Sequence, residues 1–292
     1  MIRTMAVIGT GLIGTSIGLA ASQQGVIVYL ADRDENHAAA AAALGAGRLD
    51  SSREPVDLAV IAVPPSDVGP VLADQQRRRS ALSYTDVASV KHGPQRHVLD
   101  HAPDPSRYVG GHPLAGGECS GPLAGRADLF RGQTWVLTPS PQTDDAALER
   151  GLQLVALCGA TPVLMDSLAH DERIALTSHA PHVMASLLAA RLIGRPSEVP
   201  TLVGKGFRDT TRIALGRSPL WADILAANAE PVAAVLADLQ EDLSRLLAAL
   251  NELAAGGPAE MAGMKTLTDV LDRGIAGLAA LPDTRPDAPT AR

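Results

Sequence analysis

Residues 4–14, Thr4-Met5-Ala6-Val7-Ile8-Gly9-Thr10-Gly11-Leu12-Ile13-Gly14, decide how the whole chain is read. An apolar, β-rich run passes directly into G-x-G-x-x-G, and a helical pattern follows over residues 12–24. The glycine pattern alone is weak evidence, but between a strand and a helix it has a mechanism. Gly9 permits the tight turn, Gly11 lets the backbone approach a pyrophosphate, and Gly14 lets the helix pack close to the strand. The helix N-terminus favours the anionic group. A second strand over residues 26–31 ends at Asp32, where a carboxylate accepts hydrogen bonds from adenosine ribose hydroxyls. Asp32 also repels a 2′-phosphate, so NAD is expected over NADP. Arg33 beside it either pairs with such a phosphate or lies flat on the adenine. The expected cofactor residues are Gly9, Gly11, Leu12, Ile13, Gly14, Asp32 and Arg33, joined by Val63 and Pro64 at the end of a third strand. Pro64-Pro65 serves equally well as a simple strand stop.

Outward from this motif, two textures are visible. Strand patterns at residues 4–8, 26–31, 57–63, 84–88, 108–110, 134–138 and 162–165 alternate with helical patterns at 12–24, 35–44, 66–78 and 144–158. Such alternation predicts βαβ units and a mostly parallel sheet. After residue 166 the strand signals nearly vanish. Helical periodicity is predicted over 170–192, interrupted near Pro181, and over 219–227, 231–255 and 260–281. The fold class is therefore an α/β, Rossmann-like dinucleotide-binding domain over 1–166, followed by an all-α domain over 167–282. Residues 283–292 are Pro-rich and polar and are expected to form a flexible tail. Leu236, Leu239, Leu243, Leu246, Leu247 and Leu250 make an apolar stripe on one helix face, which needs a partner helix or subunit. A homodimer held by the helical domain is expected.

Composition narrows the function classes. Apolar residues make up 46% of the 292, enough for a folded core, but only 2% are aromatic. A net charge of -7 with so few rings argues against a nucleic-acid partner. No run approaches the roughly 18–20 apolar residues of a membrane span, and the N-terminus enters a strand with no signal-peptide pattern. Cys119 and Cys158 are the only cysteines, which suits free thiols in a reducing cytoplasm. No metal is expected, because the histidines lack compact ligand spacing; His179 and His182 at i, i+3 only mimic it.

Chemistry-bearing side chains gather at the predicted strand ends. Thr85-Asp86-Val87-Ala88-Ser89-Val90-Lys91 places Ser89 and Lys91 just past a strand, on the ligand-bearing edge, although both also suit a turn. Gly110-Gly111-His112-Pro113-Leu114-Ala115-Gly116-Gly117-Glu118-Cys119-Ser120-Gly121 reads as a compact glycine-rich loop around one His and one Glu. A histidine, with an unperturbed pKa of about 6.5, is a natural proton acceptor near neutrality. A histidine held only by loop hydrogen bonds would look the same.

These two blocks resemble the prephenate/arogenate dehydrogenase family, in its longer actinobacterial type. The likeness continues through His170-Asp171-Glu172, Ser178-His179-Ala180-Pro181-His182, Gly206-Phe207-Arg208-Asp209-Thr210-Thr211-Arg212-Ile213-Ala214 and Trp221, covering about residues 3–275. The resemblance implies an NAD-dependent oxidative decarboxylation of prephenate to 4-hydroxyphenylpyruvate, a step of tyrosine biosynthesis. By the same resemblance His112 is the catalytic base and Ser89 hydrogen-bonds both it and the substrate hydroxyl. Arg212 holds the ring carboxylate, Ser178 and His182 face the substrate, Glu118 stands at the pocket rim, and Trp221 lies beside the site. An arginine suits that role independently, because a dianionic substrate on an acidic chain needs a local cation with a bidentate fork.

Two departures are evident. Gly117 stands where many relatives carry a polar residue, removing one substrate hydrogen bond. The small regulatory domain that many such relatives carry does not follow, so feedback inhibition through it is not expected. Other readings are oxidation of L-arogenate or of 4-amino-4-deoxyprephenate on a secondary-metabolite pathway, and a nucleotide-sensing protein without catalysis. A β-hydroxyacid or imine reductase would share the layout, but is expected to use a Lys or Asp of the helical domain and not the His112 block.

Overall fold

The computed structural model describes residues 1–117, 119–256 and 260–281. Seven strands form one sheet: β1 Thr4–Ile8, β2 Ile27–Ala31, β3 Val56–Ile61, β4 Ala81–Asp86, β5 Tyr108–Pro113, β6 Thr134–Thr138 and β7 Thr161–Leu164. Their order is β2-β1-β3-β4-β5-β6-β7. The first five pair in parallel and β6 pairs with β7 in parallel, while β5 and β6 are antiparallel. Helices α1 Leu12–Ser22, α2 Glu35–Ala43, α3 Pro65–Arg77, α4 His92–His101 and α5 Asp145–Leu157 connect them. Strands covered on both faces need apolar residues on both. Met5, Val7, Leu58 and Val60 enter one core cluster, while Ala59, Ile61 and Tyr84 enter the other.

The carboxyl ends of β1 to β5 share one edge, and the order reverses between β1 and β3. That reversal opens a crevice suited to a ligand. Local caps fix the helices around it. Asp34 accepts from Asn36 N at the start of α2, and Asp144 accepts from Ala147 N at the start of α5.

Beyond the sheet lie α6 Ser167–Ile174, a π-helical turn Ala175–His179, α7 Ala180–Ala190, α8 Glu198–Thr201, α9 Lys205–Thr211, a 3-10 turn Arg212–Leu215, α10 Ser218–Ala227, α11 Ala229–Ala255 and α12 Glu260–Ala279. Asp166 caps α6 through Leu168 N and Ala169 N. The expected interruption of the 170–192 helix is the π turn. It precedes Pro181, which is accommodated in the first turn of α7, where its missing N–H costs nothing. Helices α4 and α9 were not evident from periodicity.

The described chain divides into two compact units, Met1–Val232 and a second beginning at Ala233. Within the second, α11 and α12 approach so closely that a Cβ on Gly263 would lie 2.8 Å from Ala249 O. Arg273 donates to Asp242 across them at 2.8 Å. Leu239, Leu243, Leu247 and Leu250 stay exposed in the single chain. The tail expected at 283–292 lies outside the described residues. Among the described residues no single helix is long and apolar enough to cross a membrane.

Candidate active site

The glycine turn has the geometry that its sequence predicts. Gly9 sits at φ +98°, and a Cβ there would lie 2.2 Å from Ala62 O. A Cβ on Gly14 would lie 1.9 Å from Gly9 O, so helix α1 can pack this closely only with glycine at 14. A Cβ on Gly11 would meet nothing within 4 Å, so the turn is open there to close approach by a ligand. Helix α1 has no side-chain cap, which leaves its first amides, those of Leu12 and Ile13 among them, for an anion. Asp32 stands at the end of β2 and braces the turn. Its Oδ2 accepts Thr10 N at 2.6 Å and Thr10 Oγ1 at 3.0 Å, while Oδ1 accepts Asp34 N at 2.9 Å. Burial raises its pKa, but these donors outweigh that effect and hold it below its ordinary value. The residues present therefore fit a dinucleotide. Arg33 is exposed, 3.9 Å from Asp67, and Val63 and Pro64 are half-buried before α3.

His112 lies on β5, opposite Val136 of β6, and not in a loop. The expected strand at 108–110 continues to Pro113. Its glycines serve close approach more than turning: a Cβ on Gly111 would lie 2.6 Å from Asp86 O. His112 Nδ1 lies 2.8 Å from His170 Nε2, and His170 Nδ1 lies 2.7 Å from Asp171 Oδ1. Asp171 also accepts Lys91 N at 2.8 Å and His92 N at 2.9 Å. Burial, then the neighbouring His170, Lys91 and His179, push the His112 pKa well below 6.5.

Beneath this row is a buried ion pair. Lys91 Nζ donates to Asp86 Oδ1 and, at 2.7 Å, to Gly111 O; Tyr108 OH donates to Asp86 Oδ2 at 2.6 Å. Lys91 and Asp86 are fully buried. On the helical side, Asn228 Nδ2 donates to Asp171 O at 2.9 Å and lies 3.0 Å from His179 Nδ1. His182 stacks on Trp221, and the 3-10 turn bearing Arg212 packs against α7.

Residues 17–164 match the family described as prephenate dehydrogenase, nucleotide-binding domain, and residues 166–260 match prephenate dehydrogenase, dimerization domain. The chain belongs to the prephenate dehydrogenase family. It is 44% identical over 281 residues to a Streptomyces niveus protein named Probable prephenate dehydrogenase NovF, covering 96% of this chain and 78% of that one. It is 34% identical over 260 residues to the cyclohexadienyl dehydrogenase of Zymomonas mobilis, covering 85% and 88%. In fold it is similar to an A. aeolicus prephenate dehydrogenase in complex with hydroxyphenyl propionate and NAD+, with a TM-score of 0.82 at 24% identity over 96% of this chain and 98% of that one.

Within this prephenate dehydrogenase family fold, His112, His182 and Trp221 stand with the buried row described above. Ser178 is half-buried in the π turn, and Arg212 is exposed on its 3-10 turn. Ser89 is half-buried between β4 and α4. Among the described residues no hydrogen bond joins it to His112, whose Nδ1 faces His170 instead. Glu118 lies outside the described residues. Gly117 adjoins the dinucleotide turn, since a Cβ on it would lie 3.6 Å from Leu12 Cδ2. No role for Asp86, Lys91, Asp171 or Asn228 follows from the residues of the sequence alone. The one available signal was a Lys and an Asp five residues apart at the end of an apolar strand.

Proposed function

We propose that this chain is an NAD-dependent prephenate dehydrogenase that converts prephenate, by oxidative decarboxylation, to 4-hydroxyphenylpyruvate. The observation that carries the reading is the half-buried His112, whose depressed pKa keeps its imidazole neutral near pH 7 at the nucleotide-binding edge of the sheet. The names of the Streptomyces and Zymomonas relatives agree with it. Gly9, Gly11, Leu12, Ile13, Gly14, Asp32, Arg33, Val63 and Pro64 hold the cofactor, which is NAD because of the carboxylate at Asp32. When bound, its nicotinamide supplies the hydride acceptor. His112 takes the proton of the 4-hydroxyl, with Ser89 beside that hydroxyl. Arg212 grips the ring carboxylate as a permanent cation, and Ser178, His182, Glu118 and Trp221 complete the substrate surroundings. Loss of CO2 restores ring aromaticity, so the protein supplies orientation and a base.

The first domain, 1–166, binds nucleotide and the second, 167–282, binds substrate and joins two chains into a homodimer. The exposed leucines of α11 and the match to a dimerization domain support this. The compartment in this reading is the cytoplasm.

Initial rates with prephenate, L-arogenate and 4-amino-4-deoxyprephenate, each with NAD and NADP, test the proposal. Prephenate with NAD is expected to give the highest kcat/KM, and a clear preference for either other substrate overturns the assignment. Arg212→Ala is expected to raise KM for prephenate about 10–150-fold while sparing NAD affinity, the loss of one charge-assisted contact. His112→Asn is expected to lower kcat by about 10²–10⁴ while NAD still binds.

A further inference from the structure

We propose that His170, held by Asp171, is a positioning residue that sets the tautomer of His112. The proposal rests on the reading of His112 as the base and adds how its lone pair comes to face the substrate. Two backbone amides, Lys91 N at 2.8 Å and His92 N at 2.9 Å, can only donate, so the Asp171 carboxylate oxygens that they reach must accept. The Oδ1 that takes Lys91 N also meets His170 Nδ1 at 2.7 Å, so this ring nitrogen carries a proton. In a neutral imidazole the other nitrogen is then an acceptor. That nitrogen, His170 Nε2, lies 2.8 Å from His112 Nδ1. Two lone pairs do not meet at that distance, so His112 is protonated at Nδ1 and bare at Nε2. The rings meet edge-on at 73° with centroids 5.0 Å apart, a geometry in which one ring nitrogen can face the other.

Burial makes the arrangement binding. His170 is wholly inaccessible and Asp171 nearly so, which leaves no water to replace either partner. Asn228 pins the Asp171 carbonyl from the far side. The row runs from Asn228, ahead of α11, through Asp171 and His170 of α6 to His112 of β5. The base thus stands on the sheet, and the groups that fix its proton stand on the helices that follow.

The test uses the full-length protein labelled with 15N in its imidazoles, with the His112 resonances assigned by their loss in His112→Asn. At pH 7.5 the wild type is expected to show His112 protonated at Nδ1. His170→Gln offers a carbonyl near the lost Nε2, so it is expected to keep this tautomer and to hold kcat within about 10-fold. His170→Met has no comparable acceptor; it is expected to mix the tautomers and lower kcat by about 10²-fold, with KM and NAD affinity unchanged. Protonation of His112 at Nε2 in the wild type overturns the proposal. So does a folded His170→Met that keeps both tautomer and kcat. Should that variant not fold, the wild-type spectrum and His170→Gln still decide. Retained activity in His112→Asn would instead overturn the reading of His112 as base, and leave the tautomer result standing by itself.

Discussion

Trp221 lies face to face with His182, ring centroids 3.5 Å apart and planes 11° from parallel. The stack joins α10 to α7 and covers a His182 Nδ1 that has no hydrogen-bond partner among the described residues. Gly216 makes room for it, since a Cβ there would lie 2.1 Å from the indole Nε1. Aromatic stacking contributes about 0.5–1.5 kcal/mol. Trp221→Ala is therefore expected to raise KM for prephenate by about 2–12-fold, with NAD affinity unchanged. Gly216→Ala, which pushes the indole aside, should act in the same direction. Steady-state kinetics beside NAD titration checks both, and an unchanged KM in both variants would place the stack outside the substrate site.

Asp32 carries a second prediction. Its carboxylate braces Thr10 and, in the proposed reading, also serves the nucleotide, so Asp32→Ser would alter two things at once. Asp32→Asn keeps an oxygen for Thr10 N while losing the charge. It is expected to weaken NAD about 10–150-fold, the loss of one charge-assisted bond, and to narrow the gap to NADP. A cofactor ratio equal to that of the wild type would remove Asp32 as its determinant.

Some of this architecture is written locally in the chain and some is not. The β1 strand, the glycine turn and Asp32 lie within 30 residues, and each has a short-range signature. The direction of β6 has none, because pairing antiparallel to β5 depends on where a long connection returns. Gly110 and Gly111 suggested a loop around His112, although what they permit is close packing within a strand. Lys91 resembled a turn residue because lysine is ordinarily solvated. Its burial depends on Asp86, Gly111 and the fold of β5 together. His170 and Asp171 belong to a recognisable block, but their use depends on a contact with a residue 58 positions earlier, which no local pattern encodes.

The buried Lys91–Asp86 pair gives a third prediction. Burial lowers the Lys91 pKa, and Asp86 pulls it back up. Removing one partner strands the other in the core, at a cost of about 3–5 kcal/mol. Lys91→Met is expected to lower Tm by about 10 °C in a chain of this size. It should also move the acidic limb of the kcat profile to higher pH, because Lys91 is one of the charges that hold the His112 pKa down. Calorimetry and a pH–rate profile check the two effects, and an unmoved limb would separate Lys91 from the chemistry.

Three histidines, the half-buried His112 and the buried His179 and His182, make stability depend on pH in a window of their own. Burial is the main cause that lowers the pKa of His112, His179 and His182 below 6.5; for His179 it reaches about 4, in spite of the nearby Asp171. The unfolded chain binds these protons at a higher pH than the folded one. Stability is therefore complete above about 6.5 and falls as pH drops towards the folded values. For His179 alone the loss develops between 6.5 and about 4 and amounts to roughly 3 kcal/mol. Asp32 and Asp57 are partly buried, but backbone amides outweigh that and lower their pKa from 3.8, so their contribution is lost only at more acidic pH. Urea midpoints at pH 7.5, 6.0 and 5.0 should fall in that order while the carboxylates are still ionised. His179→Asn keeps an oxygen for Asn228 Nδ2 and cannot be protonated in this range. It is expected to flatten the decline between pH 6 and 5, and a slope equal to that of the wild type would show that His179 is not the group responsible.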